Sequence, residues 1–478
     1  MTTKELKNKA GLALSLFRES LRTEERDYTT MGLRRAVFML SIPMILEMLM
    51  ESAFAFFDTL YVGHIGTSAA EAEQALATVG LTEQMMFVLY AVGMGISIAA
   101  TALIARRIGE KNKKAGGDAA MQAIWLMLII SVILGVIGIL FAPDLLRLMN
   151  AEEAVIASGA GYTRILIGGN VVVMMLFLIN GIFRGGGDAS IAFRTLLLAN
   201  VFNIVLDPLF IFGLPFMGWD GFGVTGAAMA TTIGRSLGVV YQIRMLRKGK
   251  ANLVITRENL RVQWQTIRSL LKISVGSIGQ FLVESASWIF VGRIVADFGT
   301  TATASFTVAI RVVIITILPF FGMSSAAATL VGQNLGAKQP DQAEKSAWYT
   351  AHFAAICMAV LSVIYVVFAP QIIHLFSPEP EVVELGAKYL RVVCIGYLFF
   401  AYGMVISQSI NGSGDTATPT WLNIIAFWVV QIPLAYLLAK VLNWGAMGAV
   451  WAITVSFTVH AILSIIIFRR GRWKLKEV

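Results

Sequence analysis

Twelve apolar runs, most of them about 20 residues or longer, follow one another along this chain, at roughly 37–63, 74–104, 120–142, 155–183, 190–213, 222–244, 269–293, 303–331, 346–369, 386–411, 418–441 and 446–468. Runs of that length and apolarity are long enough to cross a bilayer as helices. The expected fold is therefore all-α, a polytopic membrane protein with twelve transmembrane helices. Composition agrees: 57% of the 478 residues are hydrophobic and 14% are charged, against about 25% charged in soluble domains.

The breaks between runs alternate in charge. Segment 105–116 carries Arg106, Arg107, Lys111, Lys113 and Lys114, and segment 244–268 carries seven Lys and Arg. The intervening breaks 64–73 and 214–221 have none. Basic loops stay on the cytoplasmic side, so both termini are expected there. The excess of Lys and Arg over Asp and Glu, 38 − 29 = 9, then reflects topology, not nucleic-acid binding. The first 34 residues are charged and lack the apolar core of a cleavable signal. Leu6, Ala10, Leu14, Phe17 and Leu21 recur at helical spacing there, as in an interfacial amphipathic helix. Cys357 and Cys394 lie in apolar runs and read as packing residues, with no disulfide framework.

The chain repeats itself. At an offset of 227 residues Gly109 meets Gly336, Pro143 meets Pro370, Tyr162 meets Tyr389 and Gly187 meets Gly414. The phrase RGGGDA aligns with NGSGDT. At an offset of 233, MESA (50–53) meets VESA (283–286), so Glu51 meets Glu284 and Glu47 meets Gln280. Six helices per repeat is an even number, which places the two copies in the same orientation about an axis along the membrane normal. The expected organisation is a cytoplasmic arm (1–36), an N-lobe of helices 1–6 (37–244), a cytoplasmic linker (245–268), a C-lobe of helices 7–12 (269–468) and a tail (469–478). Two lobes around a central cavity is the architecture of alternating access.

Carboxylates inside a membrane cost several kcal/mol and mark function by default. Glu47, Glu51 and Asp58 fall within about 40° of one another on the first helix. Asp58, Asn203, Asp207, Tyr162 and Thr231 all lie in the outer halves of their helices. Oxygen from carboxylate, amide and hydroxyl suits a small hard cation, and the same carboxylates can instead carry a proton when burial raises their pKa. Glu51 and Asp58 are placed to share one pocket, and Glu47 to line the cavity nearer the cytoplasm. In the C-lobe, Glu284 and Arg311 sit at similar depth, so Glu284 either pairs with Arg311 or couples an ion. Glu83 shares that outer level. GFGVTG (221–226) matches a dinucleotide pattern but lies between two membrane helices, where tight turning is the better reading. Asp188 and Asp415 read as turn or cap residues.

The phrases SIPMILEMLMESAFAFFDTLYVGHIG, NGIFRGGGDA, NIVLDPLFIFG, GFGVTGAAMAT and LVGQNLGA, in that order over about 35–470, resemble the multidrug and toxic compound extrusion (MATE) family. The resemblance implies an antiporter that expels amphipathic, usually cationic, organic molecules against entering Na+ or H+. It implies a cation site, with Na+ as a possible occupant, at Asp58, Asn203, Asp207 and Thr231, with Tyr162 and Asn180 in the same polar cluster. It assigns Pro43 to a bend in the first helix, and Glu284 to the acid used by one branch of the family. The partners expected are amphipathic cations and the lipid bilayer, without nucleic acid or cofactor, for a monomer in a bacterial or archaeal cytoplasmic membrane. A lipid-linked precursor flippase is the alternative, and it calls for an Arg- and Lys-rich cavity. A membrane enzyme finds no support, since no metal-ligand pattern such as HExxH occurs.

Overall fold

The computed structural model describes residues 14–24, 26–62, 65, 69–214, 219–250 and 252–477; the side chains of 55, 56, 58–60 and 69–72 lie outside that description. The described residues are helical throughout, apart from connecting turns and one isolated bridge between Leu214 and Trp219. A short helix at 14–20 (α1) leads into Leu33–Val62 (α2), Ala69–Gly109 (α3), Lys113–Leu148 (α4), Glu153–Gly168 (α5), Asn170–Gly186 (α6), Ala189–Phe212 (α7) and Gly223–Arg247 (α8). The second half runs Trp264–Ala296 (α9), Thr300–Gly336 (α10), Pro340–His374 (α11), Pro380–Ile395 (α12), Tyr397–Gly412 (α13), Ala417–Val441 (α14) and Ala446–Arg469 (α15). Of the amphipathic arm, Leu6 and Ala10 lie outside the described residues.

Each of the twelve apolar runs falls on one of these helices or on a helix pair. Ten helices are long and apolar enough to cross a membrane, and the pair α12–α13, bent by 51°, makes an eleventh. The remaining run, α8, is 25 residues long. It is rich in Gly, Ala, Ser and Thr and carries Arg235 at its middle, so its apolarity falls short of the others.

The repeat is visible in the backbone. Helix α4 loses helical geometry at Phe141, two residues before Pro143, and α11 does so at Phe368, two before Pro370. Proline removes an i→i−4 hydrogen bond and crowds the preceding turn, and both sites are 227 apart. The fourth span of each half breaks at Gly169 and Gly396. The turns after them place Gly187 at φ 89° and Gly414 at φ 90°, where a side chain would be strained. Even Lys111 and Lys338 share a left-handed φ of 59°. Two six-span halves thus lie about a pseudo-two-fold axis along the membrane normal.

The halves meet where α2 packs on α10 and α3 on α9 and α10. At the end of the bundle that carries both termini this seam is tight. A Cβ on Gly109 would meet the Gln333 carbonyl oxygen at 2.0 Å, and one on Gly336 would meet that of Arg106 at 2.1 Å. The two repeat-related glycines thus let α3 and α10 touch backbone to backbone. The termini reinforce the closure. Tyr28 is buried and donates to the Gly187 carbonyl at 3.0 Å, and Arg106 donates to the Lys476 carbonyl at 3.1 Å. The basic connection between halves is docked, not loose. Its short helix Arg257–Leu260 is held to α4 by Gln122, which donates to the Asn259 carbonyl at 3.2 Å, and by an ion pair of Lys114 with Glu258 at 2.7 Å. Gly221 and Gly223 take positive φ in the turn before α8, and Gly226 brings α8 against the Phe210 carbonyl. That is the tight turn expected of GFGVTG.

Candidate functional site

Helices α7 and α8 approach closely because Gly234 presents no side chain to Ala199 and Asn203; a Cβ there would stand 3.1 Å from the Ala199 carbonyl oxygen. One turn further along α8, Thr231 faces Asn203. The Asn203 amide nitrogen donates to Asp207 Oδ1 at 3.0 Å and lies 3.4 Å from Thr231 Oγ1. All three side chains are buried. Asn203 and Asp207 are four residues apart, one above the other on a helix face, and the carboxylate is followed by Pro208, which lacks an amide hydrogen. Asn203 Oδ1 is buried without a hydrogen-bond partner among the described residues. A small cation fits this arrangement, since it needs oxygen lone pairs and finds carboxylate, amide and hydroxyl oxygens together. Asp58, expected here, has its backbone in the last turns of α2, but its side chain lies outside the described residues.

Tyr162 on α5 is buried in the apolar cluster that also holds Val62, Ile211, Val224, Ala227 and Ala228. Asn180 does not join the Asn203 cluster, contrary to expectation. Its Oδ1 accepts from Gln242 Nε2 at 2.6 Å, and Gln242 lies 242 − 231 = 11 residues, about 16 Å of helix, beyond Thr231. Position within α6 sets that depth.

The acids of α2 are also placed differently from the sequence reading. Glu47 is 1% exposed, so it does not line an open cavity. Arg184 of α6 donates to it at 3.2 Å and also to Ser97 at 3.2 Å. Glu51 is held by Arg235 of α8 at 2.9 Å, and the Arg235 guanidinium lies 4.3 Å from the centre of the Phe54 ring. Glu51 therefore carries an ion partner of its own, which the shared pocket with Asp58 did not anticipate. A stripe of acids is legible in sequence; the arginines that answer it sit on helices 137 and 184 residues away. The one available signal was a single arginine in each of two otherwise apolar runs.

The C-terminal half uses the same positions differently. Gln280, the counterpart of Glu47, exchanges two 3.0 Å hydrogen bonds with Asn411. Asn411 is the counterpart of Arg184, 411 − 184 = 227. Glu284 is half-buried on α9 and, among the described residues, forms no ion pair. The expected bridge to Arg311 is absent from them. Arg311 lies on an exposed face of α10 and interacts electrostatically with Glu83 of α3 instead. Equal depth was readable in sequence, but rotation about the helix axis was not. Pro43 sits within α2 without interrupting it, where Gly322 of α10 packs against the neighbouring Met44 carbonyl. Between the halves, Arg184, Thr101, Phe321, Ser325 and Gln408 line a cavity of about 20 Å³, room for about one water.

Comparison with known proteins gives this arrangement its family. The MatE family profile matches residues 43–209 and again 273–437, once in each half. A probable multidrug resistance protein NorM from Thermotoga maritima is 24% identical over 97% of both chains. The probable multidrug resistance protein YoeA of Bacillus subtilis is 28% identical over 93% of this chain and 95% of that one. A crystal structure of MATE in the straight conformation superposes with a TM-score of 0.87, 26% identity, and coverage of 94% and 98%. An outward-facing multidrug resistance MATE family transporter of the MOP superfamily gives 0.86, also at 26% identity and with coverage of 94% and 98%. With both halves matched and the whole length aligned, the chain belongs to the MATE family of multidrug and toxic compound extrusion transporters.

Proposed function

We propose that this chain is a cation-coupled antiporter that exports amphipathic organic cations by alternating access, driven by Na+ or H+. The observation that carries the reading is the buried Asp207–Asn203–Thr231 cluster in the N-terminal half. A carboxylate held dry beside an amide and a hydroxyl is a site for a small cation or a proton, and it has little other use in a membrane. Asp58 on α2 completes the donor set. The lobes are 37–244 and 269–468, joined by the linker 245–268, and the end with both termini faces the cytoplasm, since the basic breaks lie there. The seam at Gly109 and Gly336 then makes this an inside-closed state. The relatives named as multidrug resistance proteins support export of small molecules. Glu284, half-buried and free of an ion pair among the described residues, supports a positively charged cargo. The chain works as a monomer in the cytoplasmic membrane of a bacterium or archaeon, without a cofactor. The flippase alternative loses ground, because Arg184 and Arg235 are each neutralised by a glutamate and do not form a basic cavity.

The test is ethidium efflux from proteoliposomes with the Na+ and pH gradients imposed separately. One of the two gradients drives uphill efflux. Efflux that follows neither gradient overturns the coupling, and movement of anionic lipid-linked cargo alone installs the flippase.

A further inference from the structure

The Glu51–Arg235–Phe54 group has the form of an occupied cation-binding site. A planar, delocalised cation lies 4.3 Å from an aromatic ring centre and 2.9 Å from a carboxylate oxygen, which is how an aromatic or guanidinium-bearing cargo is recognised. The cation happens to belong to the protein. The contact is not the two-pronged fork of a locked Arg–carboxylate pair. Only Glu51 Oε1 accepts from Arg235, and Glu51 Oε2 is buried without a donor among the described residues. A half-satisfied pair holds a large uncompensated desolvation cost, so a second cation that serves both oxygens can displace the first.

A place for the displaced guanidinium is close. Arg235 lies four residues after Thr231, on the same face of α8. Thr231 lies 3.4 Å from the Asn203 amide nitrogen, and Asn203 Oδ1 is a buried acceptor without a partner among the described residues. The C-terminal half lacks the device. Aligned on Gly226 and Gly448, each of which meets backbone of the preceding helix (448 − 226 = 222), Arg235 corresponds to Phe457.

Resting on the antiport reading above, we propose that Arg235 is a specificity-determining and coupling residue, a tethered cation that occupies the cargo subsite of Glu51 and Phe54 until cargo displaces it towards Asn203. Cargo on Glu51 sends the guanidinium to Asn203 Oδ1, where it excludes the coupling cation by repulsion. A coupling cation at Asn203 and Asp207 drives Arg235 back onto Glu51 and expels cargo. The two positive charges exchange because a third cannot leave.

Ethidium binding to purified protein in detergent, with and without the coupling cation, tests this, with thermal melting of every variant. In the wild type the coupling cation weakens ethidium. Arg235→Met tightens ethidium about tenfold and abolishes that antagonism, while Arg235→Lys keeps it. Glu51→Gln weakens ethidium about tenfold at unchanged melting temperature, and this arm stands even where Arg235→Met does not fold. Unchanged affinity in Glu51→Gln, or full antagonism surviving in a folded Arg235→Met, overturns the inference while leaving antiport intact. A wild type that neither binds nor exports ethidium overturns the functional reading, and this inference with it.

Discussion

The two halves share a backbone and differ in charge. Kinks, breaks and left-handed turns recur 227 residues apart, and the first helix of each half is tied to the fourth span at the same place. In the N-terminal half the tie is Glu47 to Arg184; in the C-terminal half it is Gln280 to Asn411. The second acid position repeats as Glu51 and Glu284, but only Glu51 has an ion partner among the described residues. Duplication preserved what backbone geometry demands, while side chains facing the interior were free to diverge. Neutral and charged ties do the same packing job. They differ in what happens when a partner is lost, and there the comparison can be broken.

The largest effect is expected at the charged tie. Glu47→Gln leaves Arg184 buried without its carboxylate, at a cost of about 3–5 kcal/mol. Adding Arg184→Asn installs the C-terminal pair in the N-terminal half and restores most of the loss. Thermal unfolding in detergent reads both. If the double variant is no more stable than the single one, the two ties are not equivalent.

Asp207→Asn is expected to lower cation-driven efflux about a hundredfold, about 2.7 kcal/mol, at an unchanged melting temperature, since the Asn203 hydrogen bond can be kept by the amide oxygen. Its counterpart before the matching proline is Ile432, 433 − 208 = 225, so no carboxylate at that level of the other half can take over. Efflux at wild-type rate in proteoliposomes would move the coupling site out of the N-terminal half.

The smallest expected effect is at the turn aspartates. Asp188 is buried beside Ser190, and burial pushes its carboxyl up to about 6 from 3.8. A raised carboxyl favours the folded state at low pH, and that contribution is lost as pH rises through about 6. Asp188→Asn should therefore raise stability at pH 8 by about 2 kcal/mol, with the gain fading towards pH 4. Asp415, its counterpart, lies 3.6 Å from Lys476. Asp415→Asn should lose that contact, so it should not stabilise at pH 8. Melting curves of both variants across pH 4–8 decide whether the paired turns have diverged.

Much of the fold was legible because lipid is an undiscriminating solvent. A run of apolar residues is a helix wherever it occurs, and a proline or glycine acts on the turn it occupies. The duplicated organisation followed from matched glycines and prolines for the same reason. The site was legible only where partners share a helix or a depth. Asn203 and Asp207 are one turn apart, and Thr231 reaches them across the closest helix pair. Asn180 was misplaced because a motif gave its helix but not its level. The Glu284–Arg311 bridge failed because depth says nothing about rotation.

By itself, then, the sequence determined the number of apolar segments, the register of the repeat and the residues able to hold charge in a membrane, all of which depend on neighbours within a few turns. Tertiary structure alone decided which charges meet. Arg184 chose Glu47 and Arg235 chose Glu51 across 137 and 184 residues, because an ion pair in a low-dielectric interior requires azimuth, depth and helix spacing to agree at once, and none of these is written locally.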